Sequence, residues 1–217
     1  MELIHIEGSD DISSFYLGKY VVTQQDWLEV AGTPPCKFKG PKFPVRGVNF
    51  YQAISFCNVL SLEEGLKPCY KFADGKVIKS IITNSNKDLI IDESANGYRL
   101  PTEKEWRYAL GGGKDRTFKY CDMDVNDIAW YAENSNSKLQ PVGKKLPNEL
   151  GLYDMLGNVW EYTNEKEGVI RSSVWCGISY KTDTSKYYLH SVRFYKKLHI
   201  KISFDLSTNG FRIAKNA

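Results

Sequence analysis

The sequence predicts a single α+β domain spanning residues 1–217, with about three helices set among small antiparallel sheets and much ordered loop. Three observations carry this. Helical periodicity with recognisable caps occurs in three places only. Elsewhere, short strand-like runs bounded by turn residues alternate with stretches that have no period at all. Aromatic residues make up 13% of the 217, with fourteen tyrosines and five tryptophans, which suits short irregular strands and exposed binding surfaces better than a helical bundle.

The helices come first. Thr23 to Ala31 offers a Thr N-cap, with Trp27, Val30 and Ala31 on one face. Phe50 to Leu62 sets Ile54, Cys57 and Leu60 at helical spacing, and Gly65 follows as a stop. The third is the clearest. In "RLPTEKEW", Thr102 caps and Glu105 stands three residues on, a capping box, with Trp106, Ala109 and Leu110 as the apolar stripe. Gly111-Gly112-Gly113 ends it.

Strands are expected at Phe15–Val22, and at Tyr70–Phe72 and Lys76–Lys79 on either side of an Asp74-Gly75 turn. Later ones are expected at Val169–Trp175, Tyr187–Tyr195 and Gly210–Ala214. Cys121 to Leu150 shows little period and reads as long ordered loop. Loops of that length inside a compact domain are functional or held by something such as a metal.

Composition narrows the function. Hydrophobic residues at 42% and charged residues at 25% describe a globular chain, not a disordered one. A net charge of +3 is too small to point to a nucleic-acid partner, and the cluster Lys196-Lys197-Leu198-His199-Ile200-Lys201 reads as a solvated face. Five cysteines, 36, 57, 69, 121 and 176, include no Cys-x-x-Cys, which argues against zinc and redox motifs. No signal peptide is visible, and no stretch approaches the ~18 apolar residues of a membrane span. The expectation is reduced thiols, no membrane insertion, and a chain that is cytoplasmic or assembled on a virion or cell surface.

One stretch fits neither helix nor strand: "GLYDMLGNVWEYTNE", Gly151 to Glu165. Asp154 and Glu161 stand seven residues apart, with Gly157 between them as a point where the backbone can turn sharply. A turning loop aims carbonyl oxygens inward beside two carboxylates, the hard oxygen ligands that calcium prefers. The competing reading is a carboxylate pair capping backbone amides. The spacing is not that of an EF-hand, and the residues alone leave both open.

"GYRLPTEKEWRYALGGG", "PNELGLYDMLGNVWEYTNE" and the closing "NGFRIA" resemble the formylglycine-generating-enzyme (sulfatase-modifying-factor) family. "FYLGKYVVTQQDW" and "FPVRGVNFYQAISFCNVLS" fit its opening segments in the same order, so the likeness runs from about Phe15 to the end. The resemblance implies a C-type-lectin-like fold of the formylglycine-generating-enzyme type. It also implies a structural calcium ion held by the Asp154 side chain, the Gly157 and Val159 carbonyls and the Glu161 side chain, with Trp160 buried beneath the loop. A core built around Trp106, Trp160 and Trp175 is expected, with Arg99 and Arg212 anchoring loops.

Enzymatic members of that family oxidise a substrate cysteine with copper(I) held by two cysteines that follow an Arg-Gly-Gly-Ser-Trp strand. Here that strand reads "RSSVW", Arg171 to Trp175, and Cys176 follows one position early with no later cysteine. Copper is therefore not expected. Cys176 alone remains as a catalytic candidate, with only His5, His190 and His199 as bases and nothing in the sequence to aim them. "GGGKD" lacks the spacing and hydroxyl of a P-loop.

A binding role remains. Variable proteins of diversity-generating retroelements use this fold to display changing side chains ahead of a terminal Gly-Phe-Arg. Between Trp175 and Gly210 this chain carries Cys176, Ser179, Tyr180, Asp183, Tyr187, Tyr188, His190, Arg193 and Tyr195. Tyr, Ser, Asp and Arg are the palette of recognition loops, giving aromatic area at low entropy cost with adaptable hydrogen bonds. The same alternation also suits strand residues packing both ways. The expected function is a non-catalytic ligand-binding display protein for a protein or cell-surface ligand. The alternative is a metal-dependent modifying enzyme acting on cysteine-containing peptides.

Overall fold

The structure is a computed structural model that describes residues 1–113, 124–130, 132–136, 138–164, 172–176, 190–191 and 209–217, the strands at 172–176 and 190–191 by their backbone. All three expected helices form, each on a reciprocal capping box. In α1 (Gln24–Ala31) the Thr23 hydroxyl accepts from the Asp26 N–H at 3.2 Å, and the Asp26 carboxylate accepts from the Thr23 N–H at 2.9 Å. Asn49 and Gln52 do the same for α2 (Phe50–Glu63), and Thr102 and Glu105 for α3 (Glu103–Leu110). Two single-turn helices, α4 (Val125–Ile128) and α5 (Ala132–Ser135), lie where only loop was expected; a single turn is too short to show a period.

The strands divide between two four-stranded sheets and a hairpin. The first sheet runs β1 (Leu3–Ile6), β2 (Phe15–Gly18), β10 (Ala214–Asn216), β5 (Tyr98–Arg99), antiparallel throughout. The second runs β8 (His190–Ser191), β7 (Ser172–Cys176), β6 (Trp160–Asn164), β9 (Asn209–Phe211), with β6 and β9 parallel. The hairpin pairs β3 (Tyr70–Phe72) with β4 (Leu89–Ile91).

Three departures from expectation have local causes. Strand β2 stops at Gly18 because the chain then changes sheet: the Val22 N–H donates to the Phe211 carbonyl of β9 at 2.9 Å. Lys76–Lys79 does not pair as a strand beyond a single Lys71–Val77 bridge, since the Asn58 amide draws the Ile78 carbonyl (3.0 Å) toward α2. The expected Gly210–Ala214 strand is two strands in two sheets, with Arg212 and Ile213 at the crossing.

The cores follow from this. One gathers α1, α2, β3 and Phe211, where Trp27 stacks on Phe56 (5.4 Å) and Phe56 meets Phe211 edge-on (5.2 Å). A second packs Trp106 and Leu110 of α3 against Phe15, Leu17, Leu152 and Leu156, and a small third joins Val21, Val142 and Val159. Trp106 is a core residue as expected and packs with Leu152 and Leu156 of the Gly151–Glu165 loop, whereas Trp160 is only partly buried; the other fully buried tryptophan among the described residues is Trp27, in the first core. On β6 the inward position next to Trp160 belongs to Glu161. The side chain of Trp175 lies outside the described residues.

Candidate functional site

The Gly151–Glu165 puzzle resolves residue by residue. Gly151, Asp154, Gly157 and Asn158 all take positive φ, 81°, 53°, 77° and 60°, so the chain doubles back on itself where neither helix nor strand could continue. At Gly157 a Cβ would sit 2.0 Å from the Trp130 carbonyl oxygen, which itself accepts the Asn158 N–H at 3.0 Å. The Asn158 amide then exchanges two bonds of 3.1 Å with the Gln140 backbone. The loop is thus pinned to the 130 and 140 segments without a disulfide.

Both carboxylates are inside. Glu161, 1% exposed, receives Arg212 Nε on Oε2 and Nη2 on Oε1, each at 3.0 Å, and Trp106 Nε1 on Oε2 at 2.8 Å. Arg212, fully buried, spends its remaining donors on the carbonyls of Gly18 (2.8 Å), Lys19 (3.2 Å) and Tyr153 (3.0 Å). One guanidinium therefore ties together β2, the Tyr153 loop and β6. Arg99 plays the matching part in the first sheet, bidentate to Glu105 at 2.7 Å and bound to Asn216 at 2.8 Å. Arg212 anchors the Lys19 and Tyr153 loops as expected, whereas Arg99 joins a helix, α3, to a strand, β10.

Asp154, 4% exposed, accepts the Gly143 N–H on Oδ2 at 2.8 Å, while its Oδ1 is buried with no hydrogen-bond partner. Burial pushes its carboxyl above the usual range, against the Gly143 bond and the Arg212 charge. An orphaned buried carboxylate oxygen is the kind of donor a cation takes. The expected calcium ligands fit only in part, however. The Gly157 carbonyl accepts the Val159 N–H at 2.8 Å, and both Glu161 oxygens are engaged by the guanidinium. Among the described residues, no group of three or more His, Cys, Asp or Glu side chains gathers as a metal cluster.

The candidate ligand face belongs to the segment between β6 and β9. Strand β6 pairs with β7, and β7 with β8, so residues 165–208 leave from β6 and return on β9 beside it. The two ends are fastened underneath: Asn209 donates to the Tyr162 hydroxyl at 3.0 Å, and Asn164 to the Tyr70 hydroxyl at 2.7 Å. Of the predicted face residues, Cys176 and His190 lie on described backbone and are direct partners in the β7–β8 register. That juxtaposition was invisible in the sequence, where the two stand far apart with no turn signal to fix a register. Ser179, Tyr180, Asp183, Tyr187, Tyr188, Arg193 and Tyr195 lie outside the described residues.

One antiparallel and one mixed four-stranded sheet, three capped helices and a loop pinned by a buried Arg–Glu pair define a C-type-lectin-like scaffold. The chain belongs to the sulfatase-modifying factor enzyme 1-like domain family, whose description it matches over residues 8–217. The chaperone protein LppX of Paenibacillus barcinonensis is 40% identical over 72% of this chain and 65% of its own length. The formylglycine-generating enzyme of Mycobacterium tuberculosis is 36% identical over 31% of this chain and 27% of its own. The chain thus spans less than two-thirds of either relative. Among solved structures, Treponema denticola variable protein 1 superposes with a TM-score of 0.72 at 27% identity, covering 99% of this chain and 95% of that one. CarF, at 22% identity and a TM-score of 0.71, shares the fold. No helix among the described residues is long and apolar enough to cross a membrane.

Proposed function

We propose that this chain is a non-catalytic display protein that binds a protein or cell-surface ligand through the Cys176–Tyr195 face. The observation that carries the reading is the anchoring of the excursion. The segment leaves from β6 and returns on the adjacent parallel strand β9, both held by buried hydrogen bonds, so side chains displayed between β7 and β9 can change over a fixed frame. The likeness to a variable protein over nearly the whole chain supports it, as does a relative named for chaperone work, which is binding rather than bond-making. Diversification of the segment is the finer form of the same proposal. Sequencing the gene codon by codon across its source population should find substitutions crowded between Trp175 and Leu206 over an otherwise uniform frame. A uniform gene would overturn the diversified form. For binding itself, Tyr180→Ala with Tyr188→Ala should abolish capture of the ligand with little change in melting temperature; a large loss of stability would mark those tyrosines as core.

A structural calcium ion at the loop is part of the reading; the Asp154 carboxylate, the Gly157 and Val159 carbonyls and Glu161 would hold it, and it would cross-link the loop. Its support is the orphaned oxygen; Glu161 would contribute charge more than a free lone pair.

One observation favours a catalytic second reading: the pairing of Cys176 with His190 across β7 and β8, a thiol and a base at one register position. Copper(I) uptake lost in Cys176→Ser, or oxygen uptake with cysteine peptides, would move the assignment to an enzyme.

A further inference from the structure

Two thiols play no part in the function above. Cys57 lies within α2 and Cys69 directly precedes β3; both are free and buried, at 0% and 1% exposure, in the same core. Their neighbours are clamped together. Asn58 Nδ2 donates to the Tyr70 carbonyl at 2.6 Å, and Asn58 Oδ1 accepts the Tyr70 N–H at 3.0 Å. One residue back on each segment stand the two cysteines.

A second tie converges on the same place. Ser61, one helical turn after Cys57, donates to the Cys57 carbonyl and accepts the Tyr98 N–H, both at 2.7 Å. Cys69 Sγ donates to the Gly97 carbonyl at 3.4 Å. The helix turn that bears Cys57 and the thiol of Cys69 therefore meet at one peptide, Gly97–Tyr98. Burial pushes Cys57 well above the ordinary thiol value and Cys69 up to about 11, and Cys69 raises Cys57 further, as charges do at short range.

We propose that Cys57 and Cys69 are a disulfide-forming pair, closed while the chain folds in an oxidising environment and cross-linking α2 to β3. A disulfide needs Cα atoms about 4.4–6.8 Å apart, and the Asn58–Tyr70 clamp holds the two cysteine-bearing segments side by side. The bond forms in the open chain by exchange with glutathione disulfide. One cysteine thiolate attacks it, giving a mixed disulfide and a glutathione thiolate. The second cysteine thiolate attacks the protein sulfur of that mixed disulfide and releases the second glutathione. Two protein thiols are oxidised, one glutathione disulfide is reduced, and the two protons end on glutathione. Burial then seals the pair, because unexposed thiols held in the protonated form neither attack nor are attacked. Whichever state the chain folds in is the state it keeps.

The test is refolding of the whole chain from urea, in parallel, with reduced glutathione or with glutathione disulfide. Free thiols are then alkylated and the protein is digested without reduction. Mass spectrometry should find the peptides bearing Cys57 and Cys69 joined and lighter by two hydrogens in the majority of the oxidised sample, with Cys36, Cys121 and Cys176 alkylated. The bridged protein should melt about 6–12 °C higher, a gain absent from Cys69→Ala. Folded protein first reduced and only then given glutathione disulfide should stay unbridged. Native protein from the oxidising arm with both thiols still alkylated, or capped singly by glutathione, would overturn the proposal. So would failure of the chain to regain its fold in that arm.

Discussion

Arg212→Met tests the centre of the scaffold most severely. Methionine fills much of the same volume but removes the guanidinium from a Glu161 side chain that is 2% exposed. It also strands the carbonyls of Gly18, Lys19 and Tyr153. Breaking a buried ion pair from one side costs about 3–5 kcal/mol, because the remaining charge stays out of water. For a chain of this size that is a fall in Tm of about 6–20 °C. Urea denaturation followed by circular dichroism measures it, with an unchanged slope confirming that the native state, not its compactness, was altered. Adding Glu161→Gln should recover part of the loss, since an amide keeps an acceptor for Trp106 Nε1 without the charge, with a coupling of about 1–3 kcal/mol. A loss below about 1 kcal/mol for Arg212→Met would refute the view that this pair closes the fold.

Two further perturbations bear on the site and on the first sheet. Chelation should lower Tm and added calcium should restore it, while Asp154→Ala should copy the loss and no longer respond; a wild-type Tm indifferent to both reagents would remove the ion. Glu105 gives a pH dependence: burial pushes its carboxyl up, but the Arg99 bonds and charge and the Thr102 N–H more than offset this, leaving it below the usual value. Its contribution is therefore complete above about pH 4.3, the unfolded value, and is lost as pH falls through the lower folded one. Melting curves between about pH 6 and pH 2 should show an acid limb that Glu105→Gln flattens; an unaltered limb would assign acid lability elsewhere.

The parts of the fold legible in sequence were those built from local signals. Thr23, Asn49 and Thr102 sit at N-caps, and two of the three capping boxes use Asp26 or Gln52 in place of the familiar Glu. The family motifs carried the fold type and the positions of Arg99 and Arg212. What escaped depends on pairing at long range. Residues 210–214 look like one strand, and only long-range pairing, β9 with β6 and β10 with β2 and β5, divides them between two sheets. Trp160 looks like core, yet it stands at the partly buried start of β6, while Glu161 beside it is buried against Arg212 and Trp106. Strand β1 carries Leu3, Ile4 and Ile6 around an exposed His5, a run too short to distinguish from loop. At the loop, the sequence named Asp154 and Gly157 as a corner, but the engagement of Glu161 by the Arg212 guanidinium could not be read from spacing.

The split of the final segment has a consequence for how variants of this protein are filtered. Strand β10 lies between β2 and β5 and β9 lies against β6, so neither sheet is complete until the ribosome has passed residue 216. Any change of reading frame or stop codon arising within residues 165–208 removes both strands together with Arg212. The product would have an open seam in each sheet and an uncompensated Glu161, and would be cleared as unfolded chain. If the segment is rewritten as proposed above, β9 and β10 act as a downstream check: only messages translated intact through them yield a molecule able to present the result.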